Sequence, residues 1–271
     1  MGLALAREQE VTLMQVKATD SGVTPQPFSE AGTERCSDCP IRTRAVCANC
    51  DADDFTVLED VKYDRSYQAG QVIVWAGERM DFVASVIEGV ASLTQTMEDG
   101  RTQMVGLLLP SDFLGRPGRD RASYTVTAVS DIRLCCFRRK PFQQMMTSNP
   151  RLPARLLEMT LDELDAAREW LLLLGRKSAR EKIASFLTIL ARREASQHRT
   201  EPQGEIRLTL PLTRDAMADY LGLTLETVSR QMSALKRDGV IVLTGSREVL
   251  LPDYDLLLAE SGDDADGGVI N

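Results

Sequence analysis

At 271 residues the chain is too long for one small domain and long enough for two. Apolar residues at 43% and charged residues at 27% are ordinary for a soluble globular protein, and no run approaches the ~20 apolar residues of a membrane helix. A net charge of −8 excludes a uniformly basic nucleic-acid binder, yet residues 176–251 carry 13 Lys and Arg against 9 Asp and Glu, a local basic block that hints at a nucleic-acid domain.

The start of the chain has neither a long apolar stretch nor a lysine-rich lead, and Ala6 stands where myristoylation wants Ser or Thr. No membrane partner is expected, and a cytoplasmic location is. Thiols stay reduced there, so six cysteines read as metal ligands or redox groups rather than disulfides.

Residues 1–34 are polar and rich in turn formers, an arm with no packed element. Residues 35–52 hold four cysteines spaced Cys36-x2-Cys39-x7-Cys47-x2-Cys50. Cys-x2-Cys pairs put two thiolates on one metal, and Arg42 and Arg44 nearby favour the thiolate. Two fillings compete. Four thiolates suit a tetrahedral Zn²⁺, and three plus a distant cysteine suit an iron–sulfur cluster. Spacing alone leans slightly to zinc. Cys135-Cys136 ends a strand-like run, where alternation sends the two thiols to opposite faces.

Residues 53–149 carry short apolar or alternating runs broken by Gly70, Gly77, Gly89, Gly100 and Gly115, the pattern of a small antiparallel β-roll. Asp99-Gly100 between two such runs predicts a hairpin. Residues 150–175 read as one long helix ended by Gly175. Leu157, Leu164, Ala167, Leu171 and Leu174, with Thr160 filling a gap, repeat at heptad spacing and predict a homodimer seam at Leu164, Ala167, Leu171 and Leu174. Leu156, Met159, Leu161, Trp170, Leu172 and Leu173 form a second apolar face.

Residues 176–251 are predicted to hold a helix over 178–195 and then a winged helix-turn-helix. Thr213 caps one short helix, Gly222 ends it and Thr224 caps the next, with Ala218, Gly222 and Val228 where the pair must pack. Gln231 stands at one position that is usually apolar. Glu226, Ser229 and Arg230 at the start of the second helix are residue types that read base edges in a major groove. Residues 240–251 form a hairpin, the wing. Arg176, Lys177, Arg180, Lys236 and Arg237 are candidate phosphate contacts. The acidic tail, 252–271, is expected to be disordered. No acid/base pair, phosphate loop or catalytic motif stands out, and the single His198 falls between helices, so no enzyme is expected. The whole is an α+β chain.

From about Cys36 to Leu251 the chain resembles the FNR branch of the cAMP receptor/FNR superfamily of transcription regulators, its FnrL/FnrP-like alphaproteobacterial type. Cys36-Ser-Asp-Cys-Pro-Ile-Arg-Thr-Arg-Ala-Val-Cys47, Ser111-Asp-Phe-Leu-Gly115, Leu134-Cys-Cys-Phe137 and Leu223-Thr-Leu-Glu-Thr-Val-Ser-Arg230 carry the likeness. The resemblance implies a cyclic-nucleotide-binding-like β-roll, a dimerisation helix and a C-terminal winged helix-turn-helix. It implies an oxygen-labile [4Fe–4S] cluster on Cys36, Cys39, Cys47 and Cys135, with Cys50 outside the ligand set. It implies palindromic DNA of the TTGAT…ATCAA kind, read by Glu226, Ser229 and Arg230, and RNA polymerase as a further partner. The phosphate-holding Gly-Glu-Leu and Arg-Ser/Thr-Ala segments of cyclic-nucleotide binders are missing. Gly115 is followed by Arg-Pro, and Arg119 and Arg121 are the cations left, so no cyclic nucleotide is expected.

Overall fold

In the computed structural model residues 35–197 and 200–262 are described; the polar arm expected over 1–34, His198 and the tail beyond 262 lie outside them. The cysteine segment opens with one 3-10 turn, Cys36–Asp38, and continues as tight turns, with Ala45 N–H donating to Ile41 C=O (2.9 Å) and Cys50 N–H to Cys47 C=O (3.1 Å). Helix α1, Ala52–Val61, starts at a capping box in which Asp51 and Asp54 exchange side chain–backbone hydrogen bonds of 3.0 Å.

Eight strands build the predicted roll: β1 Lys62–Tyr67, β2 Val72–Val74, β3 Phe82–Glu88, β4 Ala91–Thr96, β5 Thr102–Leu108, β6 Phe113–Leu114, β7 Thr125–Ala128 and β8 Ile132–Arg138. They form two four-stranded antiparallel sheets ordered β1-β8-β3-β6 and β2-β7-β4-β5. The expected Asp99-Gly100 hairpin joins β4 to β5, with Gly100 at φ 85°, a conformation only glycine adopts cheaply. Alternation divides β3 and β8 between two cores. Phe82, Ala84, Val86, Leu134 and Cys136 fill the roll, whereas Val83, Ile87, Cys135 and Phe137 face out into a second core with the cysteine segment and α1.

Helix α2, Arg139–Ser148, adds Phe142 to that second core. Helix α3, Arg151–Arg176, is the predicted long helix, about 39 Å from end to end. It runs one residue past Gly175. Its first half rests on the second core through Leu152, Leu156 and Met159, and its last turns rest on a third core through Trp170, Leu173 and Leu174.

The third core belongs to the C-terminal domain: α4 Ala179–Gln197, β9 Ile206–Thr209, α5 Arg214–Leu221, α6 Leu225–Arg237, β10 Val242–Leu243, β11 Glu248–Leu251 and α7 Tyr254–Ser261. A three-stranded sheet, β10-β11-β9, makes the wing. Helix α7 corrects the expectation of a disordered tail from 252. Asp253 caps it by accepting from Asp255 N–H (3.0 Å), Gly262 closes it at φ 68°, and Tyr254 and Leu257 are buried. Arg180 on α4 grips Glu260 at 2.6 and 2.9 Å and Asp238 at 2.8 Å. The apolar triplet Leu256–Leu258 overrode the acidic composition, and the winged domain reaches Gly262 rather than Leu251.

Candidate metal centre and nucleic-acid interface

Cys36, Cys39 and Cys47 from the N-terminal turns and Cys135 from β8 line one cavity beneath the arm. The alternation argument is thereby met, since Cys135 faces this cavity and Cys136 is sealed inside the roll. Cys50 is buried but lines no part of it. The enclosed space is about 20 Å³, so any group larger than a water displaces the arm that covers it.

Burial keeps the Cys36, Cys47 and Cys135 thiols protonated. It lifts Cys135 well above its usual range and Cys47 to about 12, with neighbouring Cys39 and Cys36 adding to the rise at Cys47. Cys36 is raised by burial, against the pull of Lys62. A bound metal must therefore expel protons as it enters.

Among the described residues no three His, Cys, Asp or Glu donors converge closely enough to hold a single metal ion. A zinc ion needs its sulfurs about 2.3 Å from one centre, whereas a cluster spreads four thiolates around a larger body. Ser85 adds to this. It is 1% exposed, lines the same cavity, and its hydroxyl has no hydrogen-bond partner among the described residues. Four thiols and an unpaired hydroxyl around one space are a donor set that fits an iron–sulfur group.

Hydrogen bonds fasten the arm to the helices. Cys36 N–H donates to Glu59 on α1 (2.7 Å). Arg155 on α3 donates to the Arg44 carbonyl (2.7 Å), and Arg151 pairs with Asp54 (2.9 Å) and with Asp51. Arg42 lies over the Phe55 ring, 4.7 Å from its centre. None of these contacts is visible from cysteine spacing, because their partners lie on α1 and α3.

The predicted helix-turn-helix forms as α5 and α6. Thr213 accepts from Ala216 N–H and Thr224 from Thr227 N–H, each at 3.2 Å. Gly222 between them is left-handed at φ 61°. Met217, Ala218 and Leu221 pack against Val228, Met232 and Leu235, with Gln231 half-buried beside that face. Glu226, Ser229 and Arg230 are all exposed at the start of α6. Among the described contacts Glu226 and Arg230 do not pair with each other, so both heads face outward. Lys182 on α4 was missed by sequence reasoning. It is buried and donates to the Leu221 carbonyl (3.2 Å), closing the end of α5.

The phosphate-contact expectations divide. Arg176, Lys236 and Arg237 are exposed. Arg180 is not available, being gripped by Glu260 and Asp238, and Lys177 donates to Ser185 (2.7 Å).

The four residues of the expected dimer seam differ in exposure along α3. Leu157, Leu161, Leu164, Leu171 and Leu172 are 45–70% exposed. With Arg168 they span a stripe roughly 100° wide on α3. Leu164 and Leu171 of the expected seam lie within it, Ala167 is exposed at its edge, and Leu174 instead turns half-buried onto the C-terminal core. Trp170 stacks on Tyr220 of α5, ring centres 4.0 Å apart.

A β-roll, a long helix with an uncovered leucine stripe, and a winged helix-turn-helix with exposed polar residues on its second helix define a DNA-binding regulator. Matches to known families agree: the Crp-like helix-turn-helix domain covers residues 181–260 and the cyclic nucleotide-binding domain residues 64–149. The transcriptional activator protein FnrL of Cereibacter sphaeroides is 67% identical over 87% of this chain and 95% of its own length. The nitrogen fixation regulation protein FixK of Bradyrhizobium diazoefficiens is 38% identical over 77% of this chain and 86% of its own. The structure of FixK2 from Bradyrhizobium japonicum superposes with a TM-score of 0.67 at 29% identity, covering 76% of this chain and 100% of that one. The chain belongs to the FNR branch of the CRP/FNR family. It is a DNA-binding transcription regulator of the FNR/FixK type, not an enzyme, and no helix among its described residues is long and apolar enough to cross a membrane.

Proposed function

We propose that this regulator is an oxygen-responsive transcriptional activator whose arm, loaded with a [4Fe–4S] cluster on Cys36, Cys39, Cys47 and Cys135, promotes a homodimer that binds palindromic TTGAT…ATCAA-type sites. The observation that carries it is the meeting of three arm thiols and one strand thiol in a single cavity between the arm and the roll. A cluster held by Cys36, Cys39, Cys47 and Cys135 would supply an oxygen-labile tie between arm and roll. Everything else is done by the chain.

With the tie in place, Arg151 and Arg155 hold the arm against α3, and Leu152, Leu156 and Met159 seat the helix on it. The position of the arm thus sets the course of α3. The leucine stripe meets the same stripe of a second copy in a two-fold contact. Leu173 and Leu174 lock the end of α3 into the winged domain, so pairing sets two α6 helices one turn of DNA apart. Once the arm loosens, the pair weakens and a single α6 reads half a site. The arm and the dimer are then linked by a coupling free energy, as allostery requires. RNA polymerase is the partner an activator bound this way must meet.

The roll takes no cyclic nucleotide in this reading. Arg121 donates to the Gly77 carbonyl (2.6 Å), and Arg139 donates to the carbonyls of Arg116 and Pro117, tying that segment to the β2–β3 turn and to α2. Fluorescence anisotropy with the palindromic duplex, and with one half-site scrambled, tests the reading on protein kept free of oxygen. Scrambling should cost most of the affinity, and air should abolish the difference between the two duplexes. Equal binding to both duplexes before air would overturn it.

A further inference from the structure

Ser85 is a buried polar residue that finds no hydrogen-bond partner among the described residues. Its side chain is sealed at 1% exposure. A buried hydroxyl left without a partner is destabilising, and folded chains rarely keep one without a reason. Alanine, valine or isoleucine would suit an outward-facing core position on β3, as Val83 and Ile87 show on either side.

The register of the sheet says what the hydroxyl faces. β3 lies between β8 and β6, and Ser85 is the direct antiparallel partner of Cys135 on β8 and of Phe113 on β6. Directly opposed residues point to the same face with their Cβ atoms about 4.5–5.5 Å apart. Ser85 therefore stands beside Cys135 on the wall of the cavity that Cys36, Cys39 and Cys47 close from the other side. A serine hydroxyl donates one hydrogen bond, and a metal-bound thiolate or a sulfide accepts one.

We propose that Ser85 is a positioning residue for the iron–sulfur group: its hydroxyl donates to the Cys135 thiolate, or to the sulfide next to it, once the arm is loaded. This rests on the function proposed above. Hydrogen bonds to the sulfurs withdraw electron density and raise the reduction potential of such a group. Ser85 thereby holds the sensor in a less easily oxidised state and sets how much oxygen it tolerates. The hydroxyl costs stability in the empty chain and gains its partner only in the loaded one, so its effect on the two forms has opposite sign.

The test compares the full-length parent with Ser85→Ala and Ser85→Thr, all purified without oxygen and assayed for iron and sulfide. Three measurements follow: the reduction potential, the rate at which visible absorbance is lost on mixing with air-saturated buffer, and the thermal midpoint of each chain stripped of metal. Ser85→Ala should lower the potential and bleach about two- to tenfold faster, the range one hydrogen bond supports. Its metal-free midpoint should be equal to or above that of the parent. Ser85→Thr, which keeps the hydroxyl, should bleach at close to the parental rate. A Ser85→Ala variant with the parental potential and bleaching rate would overturn the assignment while leaving the sensor intact. A stripped Ser85→Ala chain that melts well below the stripped parent would mark Ser85 as packing alone and overturn it too. A parent chain that holds no iron and sulfide would overturn the function itself.

Discussion

Neighbouring cysteines in this chain have different fates because a strand alternates. Cys135 opens onto the arm cavity and Cys136 is locked in the roll. Cys135→Ala should lose most of the bound iron. Cys50→Ala should keep it, and so should Cys136→Ala, at a cost in stability because Cys136 is fully buried. Iron per chain after anaerobic purification checks all three. The thiols also give the metal-free chain a pH dependence of definite sign. Burial holds the proton on Cys47 and Cys136 up to about 12 in the folded state, against an ordinary value of 9.0. Between those values an unfolded thiol has ionised and a folded one has not, so unfolding gains as pH rises. The thermal midpoint of the stripped protein should be level below pH 9 and fall above it; a midpoint that holds steady through that window would refute the burial. The split of Cys135 from Cys136 was legible from alternation alone. Ser85 was not, since a lone serine in a strand says nothing until the register sets it opposite Cys135.

At the scale of elements, α3 joins the other parts. Heptad spacing identified it and three of its uncovered leucines, Leu157, Leu164 and Leu171, but spacing cannot tell which of two apolar faces the rest of the chain takes. Leu174 goes to the C-terminal core, and Leu161 and Leu172 come out instead. Leu171→Glu, at 70% exposure in one chain, should leave the fold intact and shift the loaded protein to monomer in sedimentation. Leu173→Ala, at 3% exposure, should lower stability by about 2–5 kcal/mol as a large-to-small core change. If Leu171→Glu remained a dimer, the stripe would not be the contact. Helix α7 was hidden by its acids. Only the caps at Asp253 and Gly262 around Leu256–Leu258 betray it, and they were outweighed by the six acidic residues of the last 20. Leu257→Ala should destabilise the winged domain by a similar amount, whereas a disordered tail would not respond.

Over the whole molecule, one helix packs at its start on the core that holds the cysteine segment, offers its leucines in the middle and is embedded in the DNA-reading domain at its end. Further ties bind the roll to that domain: Arg193 on α4 pairs with Asp112 of the roll (2.8 Å), and Gln103 of β5 donates to the Asp219 carbonyl of α5 (3.2 Å). Reading and holding are separate at the DNA face. Arg230→Ala should relax base preference by about 1–3 kcal/mol, while Lys236→Ala should weaken specific and random DNA alike. Equal losses from both on both kinds of DNA would contradict that division. The link between arm and DNA is tested most directly by one measurement, made on one sample. The visible spectrum, iron and sulfide content and operator affinity of protein purified without oxygen are followed together as air is admitted. A brown protein whose absorbance and operator binding decay with the same time course is the expected result. A colourless zinc protein, or a brown one that binds its operator unchanged after bleaching, would contradict the coupling of the arm to DNA.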